Sequence, residues 1–137
     1  MRLKTLESKI KYRISRSRDN VFVPKDFADL ADRDQVGRVL RSLIQSGEIL
    51  KIGYGLYTKT SYSKLFNKIL PAASLPQLAR EALMKLGVKT APTYFERLYN
   101  ERKSTQVPTG RVIGVKERVS RKISYGTFEI SYERVPQ

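Results

Sequence analysis

Residues 32–59 read DRDQVGRVLRSLIQSGEILKIGYGLYTK, and this stretch decides the fold. Val36, Val39, Leu40, Leu43 and Ile44 fall at i, i+3, i+4, i+7 and i+8, the spacing of one apolar stripe on a helix. Asp32 or Arg33 starts that helix, with Asp32 as a suitable N-cap, and Gly47 ends it as the residue just past the C-cap. At 100° per residue the opposite face carries Asp34, Gln35, Arg38, Arg41, Ser42 and Gln45. Two β-prone runs follow, Glu48–Ile52 and Leu56–Lys59, on either side of Gly53-Tyr54-Gly55. Short strands around a glycine-rich tip predict a hairpin.

Reading back from this helix, two shorter elements appear. Leu6, Ile10, Tyr12, Arg13 and Ile14 predict a first helix of about ten residues. It is rich in Lys9, Lys11, Arg13, Arg16 and Arg18. Asp19-Asn20 is a turn and Val21-Phe22-Val23 a short β-prone run. Pro24 suits the first position of a short helix, with Phe27 and Leu30 facing inward. The order is helix, strand, helix, helix, hairpin. That is the order of a winged helix-turn-helix, with the third helix in the DNA major groove and the hairpin as the wing.

Residues beyond 62 predict a small α+β domain. Leu78, Ala79, Ala82, Leu83 and Leu86 give a helix over 75–86, stopped by Gly87. Thr93–Asn100 predicts a short helix with Tyr94, Phe95 and Leu98 inward. After Pro108-Thr109-Gly110 the periodicity becomes two. Arg111–Val115 reads as one strand. Lys122–Tyr125 and Thr127–Tyr132 read as a hairpin at Gly126, or as strands meeting at a bulge. The fold class is therefore α+β, with a winged helix over 1–62 and an α+β domain over 63–137. The polar stretch 58–63 is the linker candidate, and Pro71–Pro76 marks a second break.

Charge narrows the function. Lys and Arg number 27 and Asp and Glu 13, a net +14 over 137 residues. Residues 1–62 carry +6 and 63–137 carry +8, so both halves favour polyanionic partners. Cysteine and histidine are both absent. Disulfides, Cys/His zinc sites, thiol nucleophiles and imidazole acid–base chemistry are thereby excluded. The carboxylates Asp32 and Asp34, two apart, do not face each other on a helix. The pair Asp26 and Asp29 is ordinary. No Walker or dinucleotide glycine loop occurs. The expectation is a non-enzyme without metal or cofactor. Met1–Leu6 begins basic without an apolar continuation, and no apolar run nears the roughly 18 residues of a membrane span. The amphipathic stretch 65–86 is broken by Pro71 and Pro76, which favours a buried helix over a membrane-surface one. A cytoplasmic protein is expected.

Each candidate contact has a chemical reason. Arg38 donates twice to guanine O6 and N7, and Gln35 pairs with adenine N6 and N7. Asp34 either accepts from a cytosine amine or caps the helix. Arg41 and Ser42 suit phosphate. Lys9, Arg13 and Arg16 recur on one side of the first helix, as phosphate anchors or as a solvated face. Lys51, Tyr54 and Lys59 form the wing, unless the tip is only a tight turn with its glycines at positive φ. An RNA-recognition signature fails here, because Ile52 stands where a basic residue is needed and Leu56 where an aromatic is needed.

Two segments resemble a known family. Asp34–Leu43 with Gly47–Tyr57 is one. Ser104-Thr105-Gln106-Val107-Pro108, followed by Ser120–Ile123 and Phe128-Glu129-Ile130, is the other. Together they resemble the AbiEi-type antitoxins, which autoregulate bacterial abortive-infection toxin–antitoxin operons. The resemblance implies a winged-helix N-terminal domain on double-stranded operator DNA with inverted repeats, and a C-terminal domain needed for antitoxin activity. It implies a nucleotidyltransferase-like toxin from the same operon. It places Gln35, Arg38 and Arg41 on the operator, with Lys51 and Tyr54 on the wing. Two other classes compete with this reading. One is a basic protein-interaction module that binds a toxin or phage protein directly. The other is a nonspecific nucleic-acid coat. The oligomeric state stays open, since no heptad seam is present.

Overall fold

The computed structural model describes residues 5–108 and 110–136. The N-terminal Met1–Lys4 and the Thr109 of the expected Pro-Thr-Gly break lie outside them. The chain is a mixed α+β protein of two compact units, residues 1–74 and 75–137.

In the first unit, α1 spans Leu6–Arg16. Its N-terminus is closed by a reciprocal cap: Thr5 Oγ1 accepts from the Ser8 N–H at 3.1 Å, and Ser8 Oγ accepts from the Thr5 N–H at 3.2 Å. Strand β1 is Val21–Phe22, and a 3-10 turn over Pro24–Phe27 follows with proline at its start. Helix α2, the third helix of the sequence pattern, spans Arg33–Gln45. Asp32 caps it, its Oδ1 accepting from the Gln35 N–H at 2.9 Å. At the other end Gly47 has φ +79°, and the N–H groups of Glu48 and Gly47 bond the carbonyls of Leu43 and Ile44. This is the paired C-terminal closure that a glycine just past the helix permits.

Strand β2 is Ile49–Gly53 and β3 is Leu56–Ser63, joined through Tyr54 and Gly55 with Gly55 at φ +67°. Gly53 is not among the residues at positive φ. The core of this unit unites Ile10 and Ile14 from α1, Phe22 from β1, Phe27 from the 3-10 turn, Val36, Leu40 and Leu43 from α2, and Ile49 and Tyr57 from the hairpin. The stripe expected on the third helix is therefore the buried one.

Two expectations fail here. The stretch 58–63 is not a linker; it continues β3. It does so because β4, Lys68–Pro71, pairs antiparallel with Thr60–Ser63. The unit accordingly runs to residue 74, not 62. The two peptide groups of Lys59 show how the sheet continues. Its N–H bonds the Asn20 carbonyl at 2.9 Å and its carbonyl accepts from the Ala72 N–H at 2.9 Å. Both groups of one strand residue point to the same edge. Hence β1 and β4 follow one another along one side of β3, with β2 on the other.

The second unit opens with α3, Leu75–Lys85, which buries Leu75, Leu78, Ala79, Ala82 and Leu83. Strand β5 is Thr90–Ala91, α4 is Tyr94–Asn100 and β6 is Val112–Val115. Strands β7 (Ser124–Tyr125) and β8 (Phe128–Glu129) form the hairpin expected at Gly126. Strand β9, Ser131–Arg134, leaves that hairpin and pairs parallel with β6. Helix α4 departs from expectation. Tyr94 and Phe95 are exposed and no α4 residue is fully buried. Its N-cap Thr93 is buried instead, accepting from the Glu96 N–H at 3.1 Å.

Candidate nucleic-acid interface

Helix α2 presents Asp34, Gln35, Arg38, Arg41 and Ser42 on its exposed side. Packing explains this. Val36, Leu40 and Leu43 are buried on the opposite side, and Val39 and Ile44 pack against the same core. Asp32 carries the cap, so Asp34 stands in the first turn as an exposed carboxylate. Among the described residues, Gln35, Arg38 and Arg41 have no side-chain hydrogen bond or ion pair within the protein. Their donors are available to a ligand. Gly37 sits on the next turn, and a methyl group there would meet Arg41 Nη1 at 3.4 Å. The Arg41 guanidinium thus lies back over the glycine.

The hairpin tip lies beyond the strands that share the core with α2. Lys51 and Tyr54 are both exposed, and Lys51 Nζ is 5.9 Å from the Tyr54 ring centroid. Lys59 is not at this tip. It pairs with Ile49 at the other end of the hairpin, and its ammonium donates to the Ser17 carbonyl at the C-terminus of α1. A cation there complements the helix dipole.

The three basic residues expected together on α1 have separate environments. Lys9 is exposed and has no partner among the described residues. Arg16 is exposed, with its guanidinium carbon 5.8 Å from the centroid of Tyr12. Arg13 is committed to the fold. Its Nη1 and Nη2 donate to the two carboxylate oxygens of Asp29 at 2.6 and 2.8 Å, and Nη1 also donates to the Asp26 carbonyl at 2.9 Å. The bidentate geometry is the strong form of an arginine–carboxylate pair. Hydrogen bonding to Arg13 holds the Asp29 carboxyl below its ordinary value and raises Arg13 in turn.

A second ion pair was not foreseen. Lys11 Nζ lies 2.8 Å from Glu48 Oε1, and Ser46 Oγ donates to Glu48 Oε2 at 2.7 Å. These hydrogen bonds, that of Lys11 foremost, lower the Glu48 pKa. The pair ties α1 to the start of β2. No sequence spacing signals it, since the residues are far apart in the chain.

Residues 6–136 match a family described as a family of unknown function, DUF6088. The chain belongs to DUF6088. No curated protein and no solved structure matches it. The match runs through both units, from the start of α1 to beyond β9. No helix among the described residues is long and apolar enough to cross a membrane.

Proposed function

We propose that this protein is a sequence-specific DNA-binding regulator whose first unit is a winged helix. The observation that carries the reading is the α2 face. Gln35, Arg38 and Arg41 stand exposed, without a partner among the described residues, on a helix whose opposite side is fixed in the core. Rigid backbone with free bidentate donors is what base reading requires. In this reading Gln35 and Arg38 contact base edges, with Asp34 beside them. Arg41 and Ser42 grip phosphate, and Lys9 and Arg16 add backbone contacts from α1. Lys51 and Tyr54 reach the flanking groove from the wing. Arg13 and Lys59 serve the fold rather than the nucleic acid, because Arg13 is held by Asp29 and the Asp26 carbonyl and Lys59 by the Ser17 carbonyl.

The resemblance of the sequence to AbiEi-type antitoxins supplies the biological setting we propose. The protein represses its own operon at inverted repeats and opposes a nucleotidyltransferase-like toxin encoded beside it. A second reading, direct binding of a protein partner, is favoured by the exposed Tyr94, Phe95 and Tyr99 on α4. Anisotropy titration on DNA upstream of the gene, against a scrambled duplex at two salt concentrations, separates the readings. Tight binding that survives scrambled competitor supports the operator reading. Equal, salt-sensitive binding to both duplexes overturns it, and co-purification with the neighbouring gene product would then favour the protein partner.

A further inference from the structure

The turn joining β3 and β4 has the wrong chemistry for a solvent loop. It comprises Lys64-Leu65-Phe66-Asn67, where turns ordinarily use small and polar residues. Leu65 is 85% exposed and Phe66 63%. The turn is nonetheless held in one shape. Phe66 N–H donates to Ser63 Oγ at 3.2 Å, the Tyr62 hydroxyl donates to Asn67 Oδ1, and Asn67 takes the left-handed conformation at φ +52°. Asparagine tolerates that region better than most residues. The result is an apolar knob on a braced hairpin.

Beside the knob, in the same unit, lies an apolar groove of about 890 Å³. Tyr12 and Ile14 of α1, Leu43, Ile49, Tyr62 and Ile69 line its apolar part. Tyr62 is 59% exposed, Tyr12 48% and Ile69 41%. Its rim carries the Lys11–Glu48 ion pair and Lys59. The knob carries Lys64 and Lys68, the latter with Nζ 6.0 Å from the Phe66 ring centroid. Knob and groove are thus both apolar, and every copy of the chain has both.

The geometry points to a second copy of this chain as the occupant. Leu65 and Phe66 of one protomer enter the groove of the other, and the two-fold axis repeats the contact. Such an interface is isologous, because each protomer gives the knob and receives it. The area suits a reversible dimer. Five side chains, at their stated exposures and with about 150–250 Å² for each aromatic, offer roughly 600 Å² per protomer. Two copies therefore cover about 1,200 Å², the lower limit for a specific complex. Area alone does not set affinity, and the weak end of the range for such interfaces is micromolar. The dimer does not depend on DNA binding.

Analytical ultracentrifugation from about 1 to 100 μM spans that range. Moderate salt is included to screen the repulsion between two basic copies. The expected result is a concentration-dependent monomer–dimer equilibrium. It is abolished in Leu65→Glu/Phe66→Glu, while circular dichroism and the melting temperature stay near wild type, because neither side chain is buried. A wild-type monomer at every concentration overturns the proposal, as does a dimer that the double variant leaves intact. The absence of cysteine from the chain allows a second, positional test. Under mild oxidation, a mixture of Leu65→Cys and Tyr12→Cys chains should give a disulfide-linked heterodimer, and Leu65→Cys alone should give little. Efficient linking of Leu65→Cys to itself would mean tip-to-tip packing and overturn the knob-in-groove arrangement.

Discussion

Arg38 and Lys9 are both exposed cations on helices, yet the proposed function asks different things of them. On that reading, Arg38 on α2 reaches base edges and Lys9 on α1 meets phosphate. Arg38→Ala should therefore cost about 1–3 kcal/mol on the operator and much less on random duplex. Lys9→Ala should weaken both about equally and reduce the salt slope by about 1. Identical behaviour of the two variants in a salt-resolved anisotropy series would remove the groove assignment. Arg13 makes a contrasting case. Its pairing with Asp29 makes Arg13→Gln a stability variant whose DNA salt slope stays unchanged. The pH dependence follows from the depressed Asp29 carboxyl. A carboxylate whose pKa is lower folded than unfolded adds stability above its ordinary value, near 3.8, and loses it as pH falls through the depressed one. The wild type should melt above Arg13→Gln at neutral pH, and the two should converge on acidification to about pH 2. A gap in melting temperature that persists in acid would show that Arg13 acts through its bond to the Asp26 carbonyl or through packing instead.

At the scale of elements, glycines divide into two kinds. Gly37 lies inside α2, where glycine costs about 0.5–1 kcal/mol relative to alanine. An added methyl meets only the flexible end of Arg41 at 3.4 Å. Gly37→Ala should thus raise stability by about that amount in chemical denaturation. A fall would mean that the helix uses the glycine for backbone geometry. Gly114 is the opposite. It pairs with Ala91 between β5 and β6, and a Cβ there would lie 2.2 Å from the Ala91 carbonyl oxygen. Neither backbone can yield cheaply, so Gly114→Ala should destabilise the second unit by about 1–3 kcal/mol. Elements differed in how readily the sequence revealed them, for the same local reasons. Helix α2 was legible because its stripe, its Asp32 cap and its Gly47 stop are all encoded within sixteen consecutive residues. Strand β4 was not. Its Lys68-Ile69-Leu70-Pro71 has no alternation and ends on proline, and only pairing with β3 makes it a strand. The parallel partnership of β9 with β6 joins segments separated by a hairpin, which no local period reports. Tyr94 and Phe95 misled because bulky aromatics imply burial, whereas a seven-residue helix fixed by Thr93 leaves them outside. Of the candidate site, the α2 face could be read from periodicity. The commitments of Arg13 and Lys59 could not, since their partners Asp29 and Ser17 lie on other elements.

For the molecule as a whole, charge and topology together decide what each unit can do alone. Residues 1–74 hold 15 basic and 7 acidic residues, a net +8, and 75–137 hold 12 and 6, a net +6. Both units can therefore attract a polyanion, and charge does not say which one selects a sequence. Under the proposed function, selection belongs to the unit with a rigid exposed face of unpaired donors, which is the first. Its fold is closed only when β4 is included. Ending the chain at residue 62 would strip the partner from the outer half of β3 and expose a strand edge, which invites association with other chains. A fragment of residues 1–74 should therefore stay soluble, keep a cooperative melt and retain preference for the operator over scrambled duplex. Its affinity should be lower and its salt slope shallower, because the cations of the second unit are gone. A fragment of residues 1–62 should melt at lower temperature and aggregate. If 1–74 binds both duplexes equally while the intact chain discriminates, the reading face is not confined to α2 and its hairpin, and residues 75–137 must carry part of the specificity.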